Sequence, residues 1–232
     1  MALQHSPSIV TNGLVLYLDA ANRKSYPGSG NTIIDLTNNN NNGTFNGGVS
    51  YSSLNNGSLY VNGSQWISIN DNSSLNQNTA TTISTWVYFA PIELGSRIIY
   101  MGKGGGQSPI DTQYWLEKNL SDKVNIYFGI SGVDRNMALS GTTIVANTWY
   151  NIVSTYDGTT MKGFVNGVQD ITTISITGTI NSTNKILSLG QLGTYAGARL
   201  TGNIGNTSIY NRALSAAEIQ QNFNALRGRY GI

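Results

Sequence analysis

The sequence has no cysteine, a single histidine and few charged residues, and each shortage excludes a class of site. Without cysteine, the chain of 232 residues forms neither disulfides nor thiolate metal sites, and it has no thiol nucleophile. Its one histidine, His5, lies among the first residues, where we expect neither a Ser-His-Asp triad nor histidine-ligated zinc. Only 10% of the residues are charged, and no two acidic residues lie within four positions of each other. The paired carboxylates of a glycan-cleaving enzyme are therefore not expected, and we predict that the protein is not an enzyme.

Nucleic acid and membranes are excluded as partners by the same scarcity of charge and by the lack of long apolar runs. The net charge is +2 and the basic residues are scattered, so no electrostatic footprint for nucleic acid is present. No stretch approaches the roughly 18 apolar residues that a membrane-spanning helix needs. The first residues also lack the basic and then apolar pattern of a secretory signal.

Small polar residues take the place of charge on the surface of this protein. Asn, Gly, Ser and Thr number 29, 27, 24 and 23, and they separate short β-prone runs nearly everywhere. Hydrophobic residues make up 39% of the chain, including 13 Tyr, 5 Phe and 4 Trp, which is enough to build a core. Short strands with turn residues between them are typical of a sandwich or barrel rather than of a βαβ fold.

Most strands are predicted from β-branched and aromatic runs bounded by turn residues. The runs are 14–19, 58–61, 66–69, 81–89, 97–101, 114–117, 123–130, 149–156, 161–165, 185–189 and 202–210. Asp157-Gly158 and Asn166-Gly167 supply the residues of two-residue hairpin turns, so 149–170 is predicted to form a three-stranded antiparallel meander. The run of five asparagines at 38–42 is interpreted as a solvated surface loop.

One helix is predicted near the C-terminus, over residues 215–227. Ser215 and Glu218 form a capping-box pattern, and Ile219, Phe223 and Leu226 recur on one helical face. Gly228 is placed to end the helix. Residues 1–12 lack a periodic pattern and are predicted to be an extended arm, followed by a single domain over 13–232.

Several motifs in a fixed order carry a resemblance to a known family. They are GLVLYLD at 13–19, NGTF at 42–45, LYVNG at 59–63, TISTWV at 82–87, NTWYNIVSTYDG at 147–158, FVNG at 164–167 and the segment 202–215. Together they resemble the laminin-G-like branch of the concanavalin A-like lectin/glucanase superfamily. The resemblance implies an all-β fold, a jelly-roll sandwich of two antiparallel sheets with one short C-terminal α-helix. The elements at 16–20 and 25–30 are most similar to versions found in tailed-bacteriophage virion proteins.

This narrower resemblance implies a non-enzymatic virion structural protein, either a capsid decoration or a tail or fibre component. Its partners would be other virion proteins, further copies of the chain, and host or environmental glycans. The protein would be made in the host cytoplasm and carried in the virion. The alternative is a carbohydrate-binding module of a bacterial surface or secreted protein, with an extracellular location.

Candidate binding residues are aromatic and polar side chains near loops, since glycans stack on aromatic rings that are surrounded by amides and carboxylates. Trp86 and Trp149 lie within strong strand patterns and are predicted to pack in the core. The remaining candidates for carbohydrate binding are Trp66, Tyr114, Trp115 and Asp134.

Calcium is the one cofactor candidate, with Asn70 and Asp71 as ligands in the densest cluster of amide and carboxylate oxygens. The resemblance weakens this expectation. Family members often carry Asp where Asn62 stands, and Asp-Glu where Gly205 and Asn206 stand.

Overall fold

The computed structural model describes residues 7–105, 111–193 and 197–232. The first half of the predicted arm, with His5, therefore lies outside the described residues, as does most of a glycine-rich segment at 103–109. In the described residues the chain forms sixteen strands and one α-helix. The strands are β1 Leu14–Leu18, β2 Thr32–Ile33, β3 Gly43–Asn46, β4 Ser50–Ser52, β5 Ser58–Asn62, β6 Trp66–Ile69, β7 Thr81–Phe89, β8 Ile98–Gly104, β9 Thr112–Lys118, β10 Lys123–Ile130, β11 Val133–Thr143, β12 Trp149–Tyr156, β13 Thr160–Val165, β14 Val168–Ser175, β15 Leu187–Leu189 and β16 Thr201–Tyr210. The helix, α1, is Ala216–Leu226.

Two antiparallel sheets face each other, which confirms the predicted jelly-roll sandwich. Sheet 1 has the order β14-β13-β12-β7-β16-β5-β4, and β1 pairs with the same strand β16 further along its length. Sheet 2 has the order β11-β10-β9-β8-β15-β6-β3-β2. The core fills the space between the sheets with alternate side chains from both, such as Ile83 and Val87 of β7 and Ile126 and Phe128 of β10.

The predicted meander of β12, β13 and β14 is confirmed, although one turn differs from the prediction. Asn166 and Gly167 both have positive φ, 52° and 77°, as a two-residue turn of this kind requires. The preceding turn is longer and includes Thr159, because β13 begins only at Thr160. Here the Asp157 carboxylate accepts hydrogen bonds from the backbone N–H groups of Thr159 and Thr160, at 2.9 and 2.8 Å.

The helix α1 begins where the sequence predicts, but the chain continues helically beyond its predicted end. Ser215 and Glu218 form the complete capping box, with hydrogen bonds in both directions. The expectation that Gly228 ends the helix is wrong, because Arg227–Tyr230 form a further 3₁₀ turn. The left-handed residue that closes this turn is Gly231, with φ of 72°.

Helix α1 covers the outer face of sheet 1. Phe223 and Tyr230 stack on Trp86, with ring centroids 5.6 and 4.1 Å away, and Trp149 lies 4.6 Å from the Tyr230 ring. The predicted burial of Trp86 and Trp149 is thus confirmed, at 1% and 4% exposure. They pack under the helix rather than between the sheets. The described part of the chain contains no helix long and apolar enough to cross a membrane.

The described residues of the predicted arm lie along α1. The Val10 N–H donates to Asn222 Oδ1 at 2.7 Å, and the Val10 carbonyl accepts from the Tyr210 hydroxyl at 2.9 Å. The Ser8 carbonyl accepts from the Gln221 amide at 2.7 Å. Residues 8–10 are therefore attached to the C-terminal helix of their own chain.

Candidate functional site

Three neighbouring strands of sheet 2 present aromatic and polar side chains on the face that points away from the core. In β9, Tyr114 and Leu116 belong to the core, so Trp115 and Glu117 alternate with them onto the outer face. In β10 the same alternation places Tyr127 outside. The outer face of these strands is the candidate functional site.

Cross-strand register brings these side chains together. Trp115 pairs with Tyr127, which pairs in turn with Asn136 of β11. Glu117 lies two residues further along β9, and Arg97, just before β8, reaches it from the side. We call Arg97, Trp115, Glu117, Tyr127 and Asn136 the outer-face site.

The centre of the outer-face site is a pair of stacked rings. Trp115 and Tyr127 have their centroids 4.1 Å apart and their planes 22° apart. Leu192 packs against Trp115, which is buried, whereas Tyr127 is only half-buried. Gly102 beside them leaves room for this packing, since a Cβ there would lie 2.5 Å from Leu192 and 2.7 Å from Trp115. The Tyr127 ring is therefore the rigidly supported aromatic surface that a ligand can reach.

A buried carboxylate adjoins the rings. Glu117 is 2% exposed, and its Oε2 accepts hydrogen bonds from Arg97 Nε at 2.8 Å and from the Trp115 indole N–H at 3.3 Å. Arg97 Nη2 lies 2.7 Å from the same oxygen, which completes a charge-assisted ion pair. The other oxygen, Oε1, has one long contact, 3.5 Å from Asn125 Nδ2. This oxygen retains most of its capacity to accept hydrogen bonds.

The Tyr127 hydroxyl is oriented by two amides. It accepts hydrogen bonds from Asn136 Nδ2 at 3.0 Å and Asn125 Nδ2 at 3.4 Å. Burial, and next the nearby Glu117 carboxylate, raise the pKa of Tyr127 further above its ordinary value. Because both amides donate to it, its own proton is directed elsewhere and is available to a ligand.

An open pocket continues the site toward the turn between β9 and β10. It is lined by Arg97, Glu117, Asn119, Leu120 and Ser121. Leu120 is 70% exposed, which is unusual for a leucine and adds an apolar contact at the rim of the pocket.

The predicted binding residues fall into different environments. Trp115 belongs to the outer-face site, and Asp134 lies on the same face of β11, two residues from Asn136. Burial raises the pKa of Asp134, whose side chain is hydrogen-bonded to Thr112. Tyr114 is 1% exposed and points into the core, so its ring faces the opposite side of sheet 2 from Trp115.

Trp66 lies at the start of β6, away from β9 and β10, and is half-buried. The Arg199 guanidinium lies 5.6 Å from the centroid of its ring, in a cation–π arrangement. Ala198, the residue before Arg199, packs against Trp115. Neighbouring residues of one loop thus contact both tryptophans.

The predicted calcium ligands lie in a second pocket, at the rim of sheet 2, that we call the rim pocket. It is lined by Asn40, Asn41, Asn42, Thr44, Asn70, Asp71 and Asn72. Part of the asparagine run is thus built into the fold, in contrast to the predicted solvated loop. Asn41 is 3% exposed, and its amide donates to the Val15 carbonyl and to Ser74 Oγ, both at 3.0 Å.

The donor set of the rim pocket does not fit a calcium ion. Calcium takes six to eight oxygen ligands, with several carboxylates in strong sites, whereas Asp71 is the one carboxylate lining this pocket. Its Oδ1 already accepts hydrogen bonds from the Lys103 ammonium at 2.7 Å and from Asn76 Nδ2 at 3.1 Å. Within residues 7–105, 111–193 and 197–232, no three acidic or histidine side chains form a group that could hold a metal.

Sequence reasoning missed four of the five residues of the outer-face site, namely Arg97, Glu117, Tyr127 and Asn136. The signal was present in part, because Glu117 stands two residues after Trp115 and must share its face in a strand. Tyr127 and Asn136 become neighbours of Trp115 only through the pairing of β9, β10 and β11.

Solved structures with a similar fold include binding domains of bacterial toxins. The binding domain of Paraclostridial Mosquitocidal Protein 1 is 20% identical, with a TM-score of 0.73, and the match covers 92% of this chain and 52% of that one. Botulinum neurotoxin type C, whose cell entry depends on interaction with two ganglioside molecules, is 15% identical, with a TM-score of 0.68 and coverages of 92% and 51%. The chain spans about half the length of these toxin domains.

A third similar structure matches over nearly its full length. Domain 4 of AbnA, an extracellular arabinanase from Geobacillus stearothermophilus in complex with arabinotriose, is 18% identical, with a TM-score of 0.63. The match covers 90% of this chain and 97% of that domain. At these identities the likenesses establish a shared fold. None of the curated proteins compared with the chain matches it in sequence.

The sequence itself matches a known family. Residues 61–220, more than half of the chain, match a laminin G family described as part of the concanavalin A-like lectin/glucanases superfamily. This match agrees with the order of motifs along the chain and with the two-sheet sandwich. The protein belongs to the concanavalin A-like lectin/glucanase superfamily.

Proposed function

We propose that this protein is a carbohydrate-binding module that holds an oligosaccharide on the outer-face site. The observation that carries the proposal is the half-buried Tyr127 ring, fixed by stacking on Trp115 and flanked by Glu117, Arg97 and Asn136. A sugar ring offers a flat C–H face and a rim of hydroxyls. The site offers an aromatic face with carboxylate, guanidinium and amide groups around it. In ligand pockets, a few polar groups of this kind fix the orientation of the ligand.

The charges of the site favour a neutral oligosaccharide. Arg97 and Glu117 neutralise each other in their ion pair, so neither a cationic nor an anionic ligand gains a large Coulombic attraction. Hydroxyl groups, by contrast, can exchange hydrogen bonds with the exposed Asn136 amide and with the Tyr127 hydroxyl. Preformed geometry of this kind lowers the entropy cost of binding.

The neighbouring structures support a binding role. The arabinanase domain carries arabinotriose, and botulinum neurotoxin type C interacts with gangliosides, so sugars are ligands in both. Catalysis is not favoured by the site, because the residues lining its pocket include one carboxylate, Glu117, and this group is held in an ion pair. Glycoside hydrolysis normally requires a second carboxylate on the other side of the scissile bond.

The test is calorimetric or array-based titration of the whole chain with neutral oligosaccharides, arabinotriose among them, and with ganglioside oligosaccharides. Tyr127→Ala should weaken binding by about tenfold or more, through loss of the aromatic surface. Asn136→Ala should weaken it less, since the hydroxyl keeps the longer bond to Asn125.

A matched control comes from sheet 1. Tyr60 is an exposed tyrosine on a strand of the other sheet, at 38% exposure, so Tyr60→Ala removes a comparable ring without touching the outer-face site. Equal loss of binding in Tyr60→Ala and Tyr127→Ala would reject this site. Absence of binding to every sugar class by the folded wild-type chain would reject the function.

The virion hypothesis is compatible with glycan binding and takes its narrower identification from the resemblance at 16–20 and 25–30. The toxin and arabinanase structures favour the carbohydrate-binding module of a bacterial surface or secreted protein instead. Mass spectrometry of purified phage particles would decide between them, because a virion component must co-purify in stoichiometric amounts.

A further inference from the structure

Lys103, in β8, ends in a fully buried ammonium group whose hydrogen-bonding capacity is completely used. Its Nζ donates to Asp71 Oδ1 at 2.7 Å, to the Thr183 carbonyl at 2.8 Å and to the Lys185 carbonyl at 2.9 Å. The lysine side chain is 0% exposed. An ammonium has three N–H donors, so each donor has one partner. Burial of such a charge is tolerated only with this degree of compensation.

The three oxygens around Nζ come from two segments just beyond the end of the pairing between β6 and β15, whose last pair is Ile69 with Leu187. Asp71 stands in the rim pocket after β6, and the two carbonyls belong to the segment before β15. Beyond this pairing, the ammonium is the positive charge on which the carboxylate and the two carbonyls converge. One carboxylate and two backbone carbonyls around a single positive charge are the types of ligand that hard cations such as Ca²⁺ or Na⁺ receive from proteins.

The Asn76 side chain adjoins this cage through its amide nitrogen. Asn76 donates its amide N–H to Asp71 Oδ1 at 3.1 Å, while its own Oδ1 is buried without a hydrogen-bond partner. A buried, unpartnered amide oxygen beside a carboxylate is an additional ligand for a cation rather than for an anion.

We propose that the Lys103 ammonium is a built-in cation, which occupies the position where a metal ion would otherwise join the rim pocket to the segment at 183–185. The carboxylate of Asp71 and the ammonium cancel in charge, whereas Ca²⁺ with one carboxylate would leave an uncompensated positive charge. The ammonium is also covalently attached to the chain, so it loses no translational entropy on entering the cage, whereas a free metal ion does. The wild-type protein therefore needs no calcium, in contrast to the expectation for Asn70 and Asp71. Removal of the ammonium converts the cage into a weak site for a small hard cation.

The experiment measures thermal unfolding of the whole chain with millimolar CaCl₂ and with chelator. The wild-type Tm should be the same in both. Lys103→Ala removes the ammonium and leaves space, so its Tm should fall by on the order of 5–10 °C in chelator and rise again with calcium. The Tm of Lys103→Met should fall by a similar amount but should not rise with calcium, because the methionine side chain still fills the space beside the cage.

Two further variants test the cage itself. Lys103→Ala combined with Asp71→Asn should lose the response to calcium, because the carboxylate is the strongest ligand. Lys185→Met removes a half-buried lysine that makes only a long ion pair, 3.9 Å, with Asp111. Its backbone carbonyl remains in the cage, so the Tm of this variant should stay near the wild-type value.

A measurement on the wild-type chain does not depend on any variant folding. In ¹⁵N NMR an ammonium held by three hydrogen bonds exchanges its protons slowly and gives its own resonance, whereas exposed lysines do not. We expect slowly exchanging ammonium resonances from the two buried lysines, Lys103 and Lys118. Loss of Lys103 should delete one of them. A wild-type Tm that rises with calcium, a Lys103→Ala variant that calcium does not restore, or absence of the Lys103 resonance would overturn it.

Discussion

At the residue scale, the few charges of this protein serve mainly as internal ties. Lys118 is as buried as Lys103, and its Nζ donates to Asp122 Oδ1 at 2.6 Å and to the Ser96 carbonyl at 2.7 Å. Arg229 near the C-terminus pairs with Asp19 at 2.6 Å. The charged residues are therefore few but important for stability. Removing one partner of such a pair leaves a buried charge without compensation.

The most informative pair for pH dependence is Arg212 with Glu218. Two hydrogen bonds join them, at 2.6 and 3.0 Å, and the Ser215 N–H donates to the same carboxylate at 2.8 Å. The hydrogen bond from Arg212, and next that from Ser215, lower the pKa of Glu218 to about 2, below its ordinary 4.5. A carboxyl with a lowered pKa stabilises the fold above its unfolded pKa, and this contribution is lost as the pH falls from 4.5 towards 2.

We therefore expect Glu218→Gln to lower the free energy of unfolding at pH 7 by about 1–2 kcal/mol, a value reduced for the partial exposure of the pair. Urea unfolding of both proteins from pH 7 to pH 2 checks this. The difference between them should shrink as the pH falls below 4.5. A difference that stays constant over this range would show that the Glu218 charge is not responsible.

At the scale of elements, the C-terminal helix and its 3₁₀ extension act as the cover of sheet 1. Tyr230 stacks on Trp86, and its hydroxyl accepts the Asn206 N–H at 2.8 Å. Asn206 is in turn 3% exposed and donates its amide to the Leu18 carbonyl at 3.1 Å. Tyr230 thus satisfies a buried backbone N–H of β16 while it covers an aromatic surface, and Asn206 links β16 to β1.

Two substitutions separate these roles of Tyr230. Tyr230→Phe keeps the ring and leaves the buried Asn206 N–H unpaired, so we expect a loss of about 1–3 kcal/mol in the free energy of unfolding. Tyr230→Ala also removes the stacking on Trp86 and should cost about 3–5 kcal/mol. Denaturant unfolding followed by tryptophan fluorescence reports both. Equal values for the two variants would mean that the ring contributes nothing beyond its hydroxyl.

At the scale of the whole molecule, contacts between distant segments close the sandwich. The edge strands β11 and β14 meet along one side, where the Asp170 carboxylate accepts the backbone N–H groups of Ser140 and Gly141 at 3.2 and 2.7 Å. Hydrogen bonds from Ser140, Gly141 and Thr172, which outweigh the effect of burial, lower the pKa of Asp170. An edge whose N–H groups are bonded to a carboxylate is a poor template for pairing with another chain.

The N-terminal residues are bonded to α1 and β16, so removal of residues 1–12 should destabilise the protein. The deletion removes the hydrogen bonds of Ser8 and Val10 to the region around α1 and the apolar contacts of Ile9 and Val10. We expect a loss of about 2–4 kcal/mol. Comparison with removal of residues 1–6 isolates the part played by residues 7–12. If the two deletions unfold at the same temperature, the described contacts of residues 8–10 do not contribute.

Long strands could be predicted from the sequence, whereas short or polar ones could not. β7, β10 and β12 have the predicted bounds, because β-branched and aromatic residues run through them without a break. β2 and β4 are two and three residues long and were not predicted. β11 was missed although it has eleven residues, since it is a polar edge strand in which only Met137 and Leu139 are buried. Pairing with β10, rather than its own composition, makes it a strand.

The sequence by itself determined the class of this protein, because composition and turn chemistry act locally. The lack of cysteine and of paired acids, the hairpin residues Asn166 and Gly167, and the capping box at Ser215 required no knowledge of distant contacts. Only the tertiary structure decided which side chains form the site. Tyr114 and Trp115 are adjacent in a strand, so they must face opposite sides of the sheet. The strand register decides which of the two faces the core, and here Tyr114 does. Lys103 and Asp71 are 32 residues apart and meet only when the sheet has formed, so the ion pair beside the rim pocket is not visible in the sequence around Asn70 and Asp71.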